Sequence, residues 1–223
     1  MGGGTGAIRP AVPYRRKDSI RTGTATPVVF IHGLWLHGDS WAPWQELFEA
    51  AGHPTVAPGW PGVAGTVELA RAAPESIADR GIDEVVEHYA AVIDEQSEPP
   101  ILIGHSFGGM IAQKLLGQNR GAAAIAIDAA QIKGVLPLPL SALRLTFPVF
   151  ANPANKHRAV SLTAEQFRFA FGNAVSPEES DELYERWTIP APGRPCSRPP
   201  RPTSRPTHGR RSTRSTRTAG RCC

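Results

Sequence analysis

The chain has 223 residues, 41% of them hydrophobic, which is enough for one sizeable domain. No run approaches 18 apolar residues and the N-terminus lacks the apolar stretch of a signal peptide, so a membrane partner is excluded and the expected location is cytoplasmic. The net charge of +4 joins two unlike pieces: residues 191–223 hold nine Arg and no acid, leaving 15 Lys+Arg against 20 Asp+Glu in residues 1–190.

Residues 1–24, with Gly2-Gly3-Gly4 and Arg15-Arg16-Lys17, read as a flexible arm. Pro27-Val28-Val29-Phe30-Ile31 is an apolar, β-branched run of the kind buried on both faces of a parallel sheet, and it ends in His32-Gly33-Leu34-Trp35. Ser40 is placed to cap a helix through Trp41, Trp44, Leu47 and Phe48 that Gly52 ends. Pro54–Ala57 is a short strand, followed by a loop over 58–65. A helix from Ile82 to Glu95 would put Val85, Val86, Tyr89, Val92 and Ile93 on one face.

Pro100-Ile101-Leu102-Ile103 is the next buried strand, and Met110–Leu116 has helical spacing with Gly117 as terminator. Between them lies Gly104-His105-Ser106-Phe107-Gly108. A turn this tight needs minimal side chains at both flanks of the serine, which is then held strained with its Oγ above the carboxyl end of the sheet. Ala122–Ile127 is a further strand, closing on Asp128. The alternation of elements argues for a mostly parallel sheet with helices on both faces.

Residues 131–190 break that rhythm. Pro137, Pro139, Pro148 and Pro153 punctuate short helical patches, among them Ala164–Phe171 and Pro177–Trp187, the latter capped by Ser176.

From Pro27 to about Pro190 the chain resembles the α/β-hydrolase superfamily, in its esterase and small-molecule hydrolase branch. The resemblance rests on Val28-Val29-Phe30-Ile31-His32-Gly33, Trp41 and Trp44, Ala57-Pro58-Gly59-Trp60-Pro61-Gly62 and Gly104-His105-Ser106-Phe107-Gly108-Gly109, in that order. It implies an α/β sandwich: a core over 25–130, a helical cap over 131–190 forming the acyl or alcohol pocket, and Ser106 as nucleophile. The amides of Leu34 and Phe107 would form the oxyanion hole, receiving the charge that builds on the carbonyl oxygen. His32, Gly33, Trp35 and His105 would border the substrate. Dehalogenases of this fold carry Asp where this chain has Ser106, which disfavours dehalogenation.

The family's triad runs Ser, acid, His in chain order, and the histidine must take the serine proton and return it to the leaving group. Asp128 is the candidate acid. After Ser106 only His157 and His208 follow, and His157 reads as a solvated surface residue. His37 could line the site; His53 and His88 read as helix-end and surface positions.

The tail bears on the missing base. Residues 191–223 are expected to be a disordered basic tail: from Cys196 onward the chain is Arg, Pro, Ser, Thr and Gly with almost no apolar residue, and it cannot build a core. A basic arm for an anionic partner such as nucleic acid is one reading, weakened because the tail has no aromatic residue for stacking and no repeat. The sharper reading is a shifted frame: codons for Cys196 to Ser204, read one base earlier, can give Leu-Phe-Ala-Ala-Ala-Ala-Ala-Asn-Phe, a helical continuation of a cap. On that reading the last strands, with their acid and histidine, are missing, and 122–127 becomes an uncovered edge.

The sequence therefore points to serine-dependent hydrolysis of a small ester-like substrate through an acyl-enzyme, impaired in this chain, with no cofactor and no metal. A cofactor-free perhydrolase or amidase-type relative and a non-catalytic binding protein stand as alternatives. Oligomeric state is not specified by any feature of the sequence.

Overall fold

The computed structural model describes residues 25–131, 149 and 152–193. The arm over 1–24, the prolines at 137, 139 and 148, His208 and the tail from 194 lie outside the described residues. The sheet is built around β1 (Val28–Ile31), whose four residues are all fully buried. β2 (Thr55–Val56) pairs on one side of it and β3 (Ile101–His105) on the other; β4 (Ala123–Ile127) pairs with β3, giving the order β2-β1-β3-β4 with every pair parallel.

Strand alternation sorts the core into two layers. Val29, Ile31 and Leu102 face one cluster, with Val85, Val86, Tyr89 and Ile93 of α3 (Ile82–Asp94) and Ile111 and Leu115 of α4 (Phe107–Gly117). Val28, Phe30 and Ile103 face the other, against Trp41 and Phe48 of the segment that ends in α1 (Ala42–Ala50). Among the described residues β4 is an edge strand, with Ile125 half exposed, in line with the uncovered edge expected there.

Three local expectations are corrected. Ser40 does not cap a helix: it lies inside a 3-10 turn, Gly38–Trp41, that His37 caps by accepting the Asp39 amide, and α1 follows with Pro43 in its first turn. Gly117 does not stop α4; it is the helix's last residue, and the left-handed position falls to Asn119 (φ 59°), one of the few non-glycine residues that tolerate it. The ordered body does not end at Pro190. β6 (Ala191–Pro192) pairs antiparallel with β5 (Ala159–Val160), and Ala191 is buried. The prolines around Ala191 masked that strand, but a short edge pair tolerates Pro where no ladder donor is needed.

Between β5 and β6 run α5 (Ala164–Ala170) and α6 (Pro177–Trp187). A capping box of Thr163 and Gln166 starts α5, and Ser176 accepts the Glu179 amide to start α6. The Phe167 and Tyr184 rings meet edge to face, and Arg168 pairs with Asp181 at 2.7 Å.

This layer is tied to the segment after β1 at several points. His37 N–H donates to Trp187 O, Ile189 N–H to Trp35 O, and Trp35 Nε1–H to Val160 O. α2 (Val67–Ala72) contributes Arg71, whose guanidinium donates to the carbonyls of Tyr184, Glu185 and Thr188 and pairs with the Glu185 carboxylate.

Candidate active site

β3 ends at His105 and α4 begins at Phe107, so the whole reversal falls on Ser106, which has φ 54° and ψ −120°. Only the absence of side chains on the flanks allows it: a Cβ on Gly104 would overlap the Gly108 carbonyl, and one on Gly108 would overlap the Ile31 carbonyl. The strained residue is clipped to the loop after β4, since Ser106 N–H donates to Ile127 O at 3.0 Å and Ser106 O accepts from Ala130 N–H at 2.9 Å. Asp128, the candidate acid, is exposed in that same loop and also has positive φ, 42°.

The turn after β1 comes to the same place. A Cβ on Gly33 would stand 2.9 Å from Ser106 Cβ and 3.4 Å from its Oγ. Beneath it His32 is buried with both ring nitrogens engaged: Nδ1–H donates to Gly33 O at 2.8 Å and Nε2 accepts Trp60 N–H at 3.2 Å. These partners fix the neutral tautomer. Burial pushes the pKa down to about 4, and the bond to Gly33 O offsets only part of that.

His105 and His32 border an open cavity of about 270 Å³ whose walls include Trp41, Trp44, Phe167, Phe171 and Trp187. The His105 ring meets Phe171 edge to face. Burial lowers its pKa, with the Asp128 carboxylate pulling the other way.

Not every residue expected at the site is there. Trp35 and Leu34 turn their side chains into the main core and are not in the described lining of the cavity that His32 and His105 border; the Trp35 indole donates to Val160 O. His37 does not line the cavity: Nε2–H donates to Ala64 O and Nδ1 accepts Asp39 N–H. His88, expected on the surface, is half-buried and bonds Gly59 O at 3.1 Å. His157 is exposed and paired with Asp79 at 2.8 Å. The cavity walls from α5 and α6 were missed as site residues, although Phe167 and Phe171 stand at i, i+4 spacing. Among the described residues no group of three or more His, Cys, Asp or Glu gathers to hold a metal, and no helix is long and apolar enough to cross a membrane.

A family model described as the alpha/beta hydrolase family matches residues 28–217. The chain belongs to the alpha/beta hydrolase family. Among solved members of this fold it is similar to an extracellular alpha/beta-hydrolase from a Paenibacillus species, described as sharing structural and functional homology with tobacco salicylic acid binding protein 2. There the TM-score is 0.58 at 21% identity, over 75% of this chain and 67% of that one. The methylesterase MES16 from Arabidopsis gives a TM-score of 0.53 at 17% identity, over 75% and 67% of the two chains. A variant of polyneuridine aldehyde esterase gives 0.52 at 19%, over 75% and 69%. No curated protein matches the sequence. The alpha/beta hydrolase assignment makes the chain a member of a hydrolase family, and at these identities the solved relatives speak for the fold alone.

Proposed function

We propose that the chain is a serine hydrolase for a small ester or related acyl compound, with Ser106 as nucleophile. The observation that carries this is the φ of 54° at Ser106, strain that a merely structural strand–helix turn has no use for. Ser106 Oγ would attack the acyl carbon, passing its proton to a base. The alcohol then leaves with that proton, and water hydrolyses the acyl-enzyme. Phe107 N–H, first in its helix, has no intrahelical partner and sits at the positive end of the dipole. With Leu34 N–H it would hold the oxyanion, and Gly33 keeps that space open.

The reading includes impairment. Among the described histidines, His32 and His37 have both nitrogens engaged by protein, and His157 is held on the surface by Asp79. Asp128 is proposed as the acid on the strength of its place beside the elbow. The same shortage of a base favours a second reading, a non-catalytic protein that binds ligands in the cavity.

A fluorophosphonate probe separates the two: labelling that Ser106→Ala abolishes supports the hydrolase, and no labelling of the parent chain supports the binding protein. Turnover of p-nitrophenyl acetate should stay far below the usual enzymatic scale of about 1–10³ per second. A rate within that range would mean that one of the chain's histidines works as the base, with His157 the first to mutate.

A further inference from the structure

The cavity bordered by His105, the residue before Ser106, has a wall chemistry that ester cleavage alone does not require. Five aromatic side chains line it: Trp41, Trp44, Phe167, Phe171 and Trp187. None of its described lining residues is Lys, Arg, Asp or Glu. The polar groups are the Ser40 hydroxyl, the indole N–H donors and two imidazoles whose pKa values burial lowers, so none carries a fixed charge. His32 spends both nitrogens on protein, so a ligand's polar atoms are left to His105, Ser40 and indole N–H donors, of which Trp41 Nε1 is buried without a partner among the described residues. A charged group entering this space would lose its hydration and find no counter-charge among the described lining residues, and the nearby Asp128 carboxylate would oppose an anion. Flat rings, by contrast, gain offset and edge contacts with five aromatic neighbours and freeze few rotors, whereas an alkyl chain of similar carbon count loses its rotamer freedom.

At about 270 Å³ the space lies just below the range of roughly 300–1,000 Å³ that suits drug-sized ligands, so one or two fused rings fill it. We propose that this cavity binds the uncharged, planar aromatic part of an ester, one or two fused rings in size. Recognition of the ring rests on the cavity itself; the tie to an ester rests on the serine-hydrolase reading.

The test uses the full chain and non-cleavable ketones in calorimetric titrations. 2-Acetylnaphthalene should bind about ten-fold more tightly than the linear ketone 2-dodecanone and than 2-naphthoate. Leu183→Trp, which plants an indole in the cavity from α6, should weaken 2-acetylnaphthalene binding at least as much, with an unchanged melt. Equal or tighter binding of the alkyl ketone or the carboxylate overturns the proposal, as does undiminished binding by the folded Leu183→Trp chain. Fluorophosphonate labelling is scored separately: aromatic binding without labelling keeps this inference and sinks the hydrolase reading.

Discussion

Gly33 and Ser106 touch across two separate turns, with only 2.9 Å between Ser106 Cβ and the place where a side chain on residue 33 would begin. The contact joins the end of β1 to the elbow, so the glycine is required by space at the site. Gly33→Ala must push Ser106 or the Leu34 amide aside. The second-order rate of fluorophosphonate labelling should fall about 10²-fold, as on loss of one oxyanion donor, while the urea midpoint changes little. Labelling at the parent rate would remove Leu34 N–H from the proposed oxyanion hole.

His32 makes stability depend on acid. Its pKa is near 4 when folded and 6.5 when free, so above pH 6.5 both states are neutral and the residue contributes no pH dependence. As pH falls through that window the unfolded chain takes up a proton that the buried ring refuses, and stability drops by about 3 kcal/mol in total. Urea denaturation from pH 7.5 to 4.5 should reveal this slope, and His32→Gln should flatten it while lowering stability at neutral pH. Parallel slopes in the two proteins would assign the acid loss to other groups.

Arg71 is the strongest polar tie between α2 and α6: it serves three carbonyls and a carboxylate at the end of the helix that carries Trp187 into the cavity wall. Arg71→Ala should cost about 1–2 kcal/mol and weaken ligand binding in the cavity. Arg71→Lys keeps the charge but loses the fork, and should recover only part of either. Limited proteolysis offers a direct check, through faster cleavage between α5 and α6 in Arg71→Ala.

The edge at β4 predicts association. Ile125 is 50% exposed on a strand that pairs only with β3 among the described residues. Ile125→Lys should raise the concentration at which light scattering first appears, with little change in melting temperature. An unchanged onset would mean that association uses another surface.

How far the sequence could be read depended on the range of the forces involved. The buried strands were legible because Val28–Ile31 and Ile101–Ile103 are continuous apolar runs, and the elbow because Gly104 and Gly108 bracket Ser106 at fixed spacing. Helices α3, α5 and α6 fell within a residue or so of their expected ends, since caps such as Ser176 are local. What escaped was non-local. Nothing near Trp35 in sequence shows that its indole reaches Val160, and nothing near Arg71 shows carbonyls more than a hundred residues away. The histidines were the hardest to place, because each role is set by partners such as Ala64 or Asp79 that only the fold supplies.

The backbone clip between Ser106 and residues 127–130 makes the turn proposed to be reactive a tenant of an edge strand. Two hydrogen bonds, to Ile127 O at the end of β4 and from Ala130 N–H in the loop that follows it, oppose the return of Ser106 to relaxed dihedrals. Edge strands open locally at a free energy below that of global unfolding. Each such opening frees the serine to slip out of its positive-φ turn, so the proposed chemistry and the folded mass of this chain are separable. On gentle warming, Ser106 should fall silent while the helices packed on β1 are still intact.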